Sequence, residues 1–313
     1  MDLENIGEQM SKTMGTSRWS QHFERLKETV KRDPDVISFV KEHQEELTPE
    51  IIEKSYAKLY EFVQEKEKFK RQDPTMIAPG YEPKLFMNFR FIDVSYVPTQ
   101  TLLAKQEVQK VESRMQLENM PKGIRNARMD QFDLTEERAG ALKAAMLFIK
   151  HYSQHPDKFQ PGLYLQGSFG VGKTYLLGAI ARELAELGFS TYLMHFPTFA
   201  VEMKASIKDD TTSAKINQVK QAPILMLDDI GADSMSSWIR DDVLGVILQY
   251  RMQEQLPTFF SSNFSMQQLE EEHLRITQRG EDEPLKARRI MERIRYLSKE
   301  VEMVGRNRRQ ENN

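Results

Sequence analysis

Through the first third of the chain, apolar residues recur three and four positions apart, the spacing that gathers them on one face of a helix. Trp19, Phe23, Leu26 and Val30 set the first such stripe. Asp33-Pro34 then supplies a cap and a first-turn proline for a second helix through Val36, Phe39 and Val40. Thr48-Pro49 repeats the device for a longer helix with Ile51, Ile52, Tyr56, Leu59 and Phe62 on its apolar side. The three stripes are expected to bury one another in a small bundle.

The pattern changes after Lys66. Asp73-Pro74, Pro79-Gly80 and Glu82-Pro83 are breakers, and Leu85 to Val97 is aromatic and partly alternating, which predicts a short β hairpin. Thr101 to Met129 is polar, charged and weakly periodic, so residues 101–131 are expected to be a linker between a domain at 1–100 and another at 132–313.

From Leu134 onward the chain reads as α/β. A helix runs to about Tyr152, followed by the strand Gly162–Gln166, a helix from Lys173 to Leu187 and the strand Ser190–His195. Two helical segments, about Thr198–Lys208 and Ser213–Lys220, precede an apolar strand at Ile224–Leu227, a helix near Ser237–Gln253 and the strand Thr258–Ser261. Strands alternating with helices imply a parallel sheet covered on both faces.

Composition narrows the chemistry. Hydrophobic residues make up 39% and charged residues 29%, and no apolar run approaches the roughly 18 residues of a membrane span. The start, MDLENIGEQMSK, lacks the apolar stretch of a secretory signal, so a cytoplasmic location is expected. With no cysteine and six histidines outside any H-E-x-x-H spacing, neither a thiolate zinc site nor a catalytic transition metal is expected. A net charge of −3 gives no global attraction to nucleic acid, leaving only local patches to make that case.

One motif stands out. Gly167-Ser168-Phe169-Gly170-Val171-Gly172-Lys173-Thr174 matches G-x-x-x-x-G-K-[ST] in full, directly after an apolar strand and before a helix. The glycines let backbone N–H groups turn inward on phosphate oxygens, Lys173 can neutralise the β and γ phosphates, and the Thr174 hydroxyl can hold Mg²⁺. Downstream, Ile224-Leu225-Met226-Leu227 delivers Asp228 and Asp229 at a strand end. Asp228 is assigned to the Mg²⁺ sphere and Asp229 to polarising the attacking water. Asn263, ending the next strand, reads equally as a turn residue or as a contact to the γ phosphate. In the tail, nine Lys or Arg against three acids between Lys286 and Arg309 fit arginines that reach a γ phosphate, or contacts to nucleic-acid phosphates.

Taken together, GSFGVGKT, LMLDDIGA, FFSSNF and ARRIMERIRYL ending in GRNRR resemble the AAA+ helicase loaders of the DnaC and DnaI family, most of all its DnaI branch in Bacillus-type bacteria. The helical start followed by GYEPKL and IDVSYV resembles that branch too. The resemblance implies an AAA+ ATPase, using ATP and Mg²⁺, that self-associates. It also implies that residues 1–100 bind the DnaB-type hexameric replicative helicase, for delivery to single-stranded origin DNA. On it, Asn263 takes the sensor-1 role and Arg289 the arginine finger completing a neighbouring subunit's site. Sensor 2 falls within Arg306-Asn307-Arg308-Arg309; Arg309 is preferred, with Arg306 and Arg308 left open. Lys204, Lys208, Lys215 and Lys220 occupy the place of an extra helix facing DNA, and read equally as a solvated face. DnaI members carry a cysteine-rich zinc site near residues 69–83. Here zinc cannot be carried over, and the hairpin either is held by Phe86, Phe89, Phe91 and Tyr96 or is looser.

Three other readings share some of these features. A transposition-helper AAA+ ATPase has the same motifs but no need of the front bundle. A P-loop kinase for a small metabolite leaves the front half unexplained, and a nucleotide-dependent adaptor would bind without turnover.

Overall fold

The computed structural model describes residues 26–232, 235–275 and 282–308, and the chain divides into two compact units, 1–107 and 108–313. Trp19 and Phe23 lie outside the described residues.

In the first unit, helical residues 26–32 are followed by α1 (Pro34–Glu42), α2 (Pro49–Lys54) and α3 (Tyr56–Arg71). The caps act as the sequence predicts. Asp33 Oδ1 accepts from the N–H groups of Asp35 and Val36, and Thr48 Oγ1 accepts from Ile51. The long third helix expected from Thr48 instead breaks at Ser55. That buried hydroxyl accepts the Ile92 N–H at 3.0 Å and ties the break to a hairpin, β1 (Tyr81–Asn88) with β2 (Phe91–Pro98).

Ile92 is 1% exposed in a core with Val30, Val36, Leu47, Leu59, Phe62 and Val63. Burying an isoleucine contributes roughly 2 kcal/mol. Phe86, Phe89 and Phe91 are exposed, so the expected aromatic clamp is not what holds the hairpin; of the four aromatics named, only Tyr96 reaches back, donating to Glu61 at 3.1 Å. The segment preceding the hairpin is tied down by the buried Glu65 of α3. Its carboxylate accepts from the Ile77 N–H at 2.7 Å and from Lys68 at 2.8 Å.

The second unit is a six-stranded, wholly parallel sheet in the order β3-β5-β6-β7-β4-β8. The strands are β3 (Met115–Glu118), β4 (Gly162–Gln166), β5 (Thr191–His195), β6 (Ile224–Asp228), β7 (Thr258–Ser262) and β8 (Ser298–Glu302). Helix α4 (Gln100–Arg114) precedes β3; α5 (Glu136–Gln154), α6 (Lys173–Glu186), α7 (Phe196–Ser206), α8 (Thr212–Lys220) and α9 (Gly245–Gln253) follow in order. A one-turn α10 (Met266–Gln268) and α11 (Pro284–Leu297) complete the set. Two π-helical turns, Ile239–Leu244 and Leu269–Leu274, lead into α9 and follow α10. Apolar clusters lie on both sheet faces, one around Ile180 and Phe259 and one around Phe260 and Ile290.

No separate linker is seen at 101–131: residues 101–107 fall in the first unit and 108–131 in the second. Val111, Met115 and Ile124 are buried in the second unit's core, and β3 pairs with β5 from Met115↔Thr191 to Glu118↔Met194. The segment looked weakly periodic because an edge strand and a 3₁₀ turn (Lys122–Asn126) bury only isolated residues.

Arg251 of α9 is fully buried and braces the starts of two central strands. It donates to the carbonyls of Lys220, Ala222 and Pro257 and to Thr258 Oγ1. Burial pulls its guanidinium down to about 9.

Candidate functional site

All the sheet's central strands deliver polar residues at the same end, since they run parallel, and there a cleft of about 620 Å³ opens. Its floor is the turn from β4 into α6. Gly170 and Gly172 have φ of +77° and +100°, where a side chain is strained. A Cβ on Gly170 would also strike the Asn307 side chain, so the loop wraps only with glycine there. Lys173 folds back over this loop and donates to the carbonyls of Gly167 and Ser168 at 2.6 and 2.9 Å and to Asn263 Oδ1 at 2.9 Å.

Beside the lysine, the Thr174 hydroxyl lies 3.0 Å from both oxygens of Asp228. Burial pushes the Asp228 carboxyl up, against hydrogen bonds from Ser261 and Thr174 that pull it down. The Thr174 hydroxyl and the buried Asp228 carboxylate form a hard-oxygen donor set that suits Mg²⁺.

Asp229 adopts φ +63°, a left-handed conformation that costs a non-glycine residue about 1 kcal/mol. The turn is held by its N–H donating to Ser261 Oγ at 2.9 Å and by Asn263 Nδ2 donating to its Oδ1 at 3.1 Å. The strain swings the two neighbouring carboxylates apart: Asp228 faces Thr174, while Asp229 faces Asn263 and stands 3.9 Å from His195 Nε2.

The structure thus brings Lys173, Thr174, Asp228, Asp229 and Asn263 together in one cleft. Of the tail arginines, Arg308 lines that cleft: its N–H donates to Gly170 O at 3.1 Å and its side chain pairs with Asp133. Arg309 lies outside the described residues. Arg306 adds to the positive field that, with Arg308 foremost, holds the Asp133 carboxyl below its ordinary range. Arg289 is exposed on α11 and is not among the cleft residues. Lys204 and Lys208 are exposed on α7 and just after it, whereas Lys215 pairs with Glu202 and Lys220 lies over the Tyr250 ring.

Sequence reasoning missed Ser261, His195 and Arg138. Arg138 is 2% exposed; it stacks on Phe132, donates to Asp133 O at 2.5 Å, and stands so near Gly172 that a Cβ there would meet its Nη2. Burial, with Arg308 close by, lowers its pKa. Arg138 Nε and Arg308 Nη1 are buried without a hydrogen-bond partner among the described residues, on two residues that line the cleft. Orphaned cationic donors beside a glycine-rich loop fit an anionic ligand.

Residues 3–96 match the family described as primosomal protein DnaI N-terminus, and residues 99–313 the family described as IstB-like ATP binding protein. The replicative helicase loader DnaI of Bacillus subtilis (strain 168) is 40% identical over 312 residues, 98% of this chain and 99% of that protein. A crystal structure of DnaI, 48% identical, covers 64% of this chain and 99% of its own with a TM-score of 0.55. A protein of Streptococcus pyogenes serotype M3, described as a primosome component, is 42% identical over 65% of this chain and 99% of its own, with a TM-score of 0.54.

Proposed function

The chain belongs to the DnaI family of replicative helicase loaders, and from that premise we propose that it is an ATP-driven switch. Its first unit binds the hexameric replicative helicase, and its second hydrolyses ATP while the helicase is delivered to single-stranded DNA in the cytoplasm. The observation that carries this reading is the hydrogen-bonded series Lys173–Asn263–Asp229 across the mouth of the glycine loop. It joins the residue that would hold the terminal phosphates to the residue that would activate water.

In this reading Lys173 exchanges its loop carbonyls for the β and γ phosphate oxygens, and loop N–H groups hold the rest. Thr174 and Asp228 would hold Mg²⁺, which supplies charge neutralisation on the phosphates. Asp229 accepts a proton from water as that water's oxygen attacks the γ phosphorus. The bond to the β–γ bridging oxygen breaks, giving ADP and inorganic phosphate. Asn263 orients Asp229 and reports the γ phosphate, and Arg308 takes the sensor-2 position. Arg289, exposed and away from its own cleft, acts on the site of an adjacent copy. Lys204 and Lys208 are the remaining candidates for DNA phosphates.

A transposition-helper role is the competing reading, since the IstB-like family spans residues 99–313. The match of residues 3–96 to a primosomal module supports the loader. The test is a pull-down and sizing run with the replicative helicase of the same cell, with and without ATP. A defined complex formed by the full chain and by residues 1–107 is expected. No complex in any nucleotide state would favour the transposition helper.

A further inference from the structure

The two groups that would sense a γ phosphate both lead, by direct packing, toward the helix that carries Arg289. Gly231, two residues after Asp229 and with φ +90°, sits so close to Leu269 that a Cβ would meet its Cδ1 at 2.7 Å. From Asn263 the chain passes directly into the capping box of Ser265 and Gln268, which starts the same segment. Leu269 opens the second π turn, which ends at Leu274. The Leu274 carbonyl accepts from Arg240 Nη1 at 2.9 Å.

Arg240 belongs to the first π turn and is 1% exposed. Its guanidinium is divided three ways: it grips Asp241 with two hydrogen bonds of 2.7 and 2.8 Å, holds the Leu274 carbonyl, and donates to Glu283 at 2.5 Å. Glu283 is the residue from which α11 starts. Its own N–H donates to Arg275 O at 2.9 Å, and Lys286, one turn into α11, closes the ring by pairing with both Glu283 and Asp241. Beyond this ring α11 is seated by an apolar face of Ala287, Ile290, Met291, Ile294 and Leu297, which leaves Arg289 on the outer side.

An apolar face alone tolerates small slides and rotations, whereas a planar guanidinium shared among three partners has one arrangement. The two π turns that it joins are themselves unusual geometries that persist mostly at functional sites. We propose that Arg240 and Glu283 are positioning residues for Arg289, fixing the start of α11 and with it the way the arginine is presented to the next copy. This rests on the reading of Arg289 as acting between copies.

The experiment uses full-length protein in mixing assays at concentrations where the chain self-associates. K173A has no working cleft but keeps Arg289; R289A has the reverse. Mixed, they should restore ATP turnover that neither shows alone, because the K173A copy presents its arginine to the R289A copy. The double variant K173A/E283Q, mixed with R289A, should restore about 10²-fold less, the cost of a misplacement of roughly 1 Å. E283Q alone should bind nucleotide and melt like the parent while losing kcat and keeping KM. E283D, which keeps the charge, should recover part of the loss. Equal restoration by K173A and K173A/E283Q would overturn the positioning role while leaving Arg289 in place. Failure of the first pair to restore turnover would remove the action between copies and this inference with it.

Discussion

Lys173 and Asn263 are held at 2.9 Å, ammonium to amide oxygen, with the other end of that amide donating to Asp229. On the proposed reading, a phosphate arriving at Lys173 would break or share this bond, and the amide would act as a relay between that cation and the Asp229 carboxylate.

Asn263→Ala should therefore separate binding from chemistry. Nucleotide affinity is expected to stay within a few-fold, because Lys173 and the loop remain, while kcat falls by about 10²-fold, the usual loss for one oriented polar group. Single-turnover hydrolysis beside equilibrium binding of a fluorescent nucleotide checks this, and equal losses in both would remove the relay.

Arg308→Ala should weaken nucleotide binding by about tenfold, the worth of one charge-assisted hydrogen bond. Arg309→Ala should weaken it less. Titration calorimetry on the two variants decides the register of the tail, and the opposite ranking would return sensor 2 to Arg309.

Arg251→Met is expected to destabilise the second unit by at least about 3 kcal/mol, since methionine fills the space but donates nothing to the carbonyls of Lys220, Ala222 and Pro257. Urea denaturation followed by near-ultraviolet circular dichroism reads this directly. A loss under 1 kcal/mol would mean that water replaces the guanidinium.

The front unit should carry an acid-sensitive pair. Lys66 Nζ lies 2.7 and 2.6 Å from the two Asp33 oxygens. Burial alone would raise the Asp33 carboxyl, yet the Lys66 ammonium and the helix N–H donors outweigh it and hold the group below its ordinary 3.8. A depressed carboxylate gives stability that is full above 3.8 and lost as pH falls through the folded value. Asp33→Asn keeps the cap acceptor but not the charge, so it should cost about 1–3 kcal/mol at pH 7 and flatten the dependence below pH 4. Unchanged acid unfolding in this variant would assign that sensitivity to other carboxylates.

What could be seen in the sequence was what is local. The glycine loop is eight consecutive residues, Asp228 and Asp229 close one apolar strand, and the caps at Asp33 and Thr48 act on their own helices. Residues that join the site by sheet register stayed hidden. His195 is aligned with Asp228 only because β5 and β6 pair in that register, and Ser261 meets Asp228 from the neighbouring β7. Arg138 reads as one more charged position at the start of an amphipathic helix until folding buries it beneath Gly172. The two edge strands were missed for a related reason. β8, Ser298-Lys299-Glu300-Val301-Glu302, has one apolar residue and lies in a stretch that reads as charge, while β3 sits where the hydrophobic pattern looked like linker.

β8 has a temporal consequence. It lies beside β4, Met303 N–H donates to Gln166 O, and Arg308 N–H donates to Gly170 O, so the glycine loop is completed by chain that follows it by nearly 140 residues. During synthesis the loop leaves the ribosome with its sequence intact and its outer wall missing. The glycine loop thus gains its outer wall only once β8 has docked, and a protease that trims the chain back past β8 should weaken nucleotide binding at a motif it never touches.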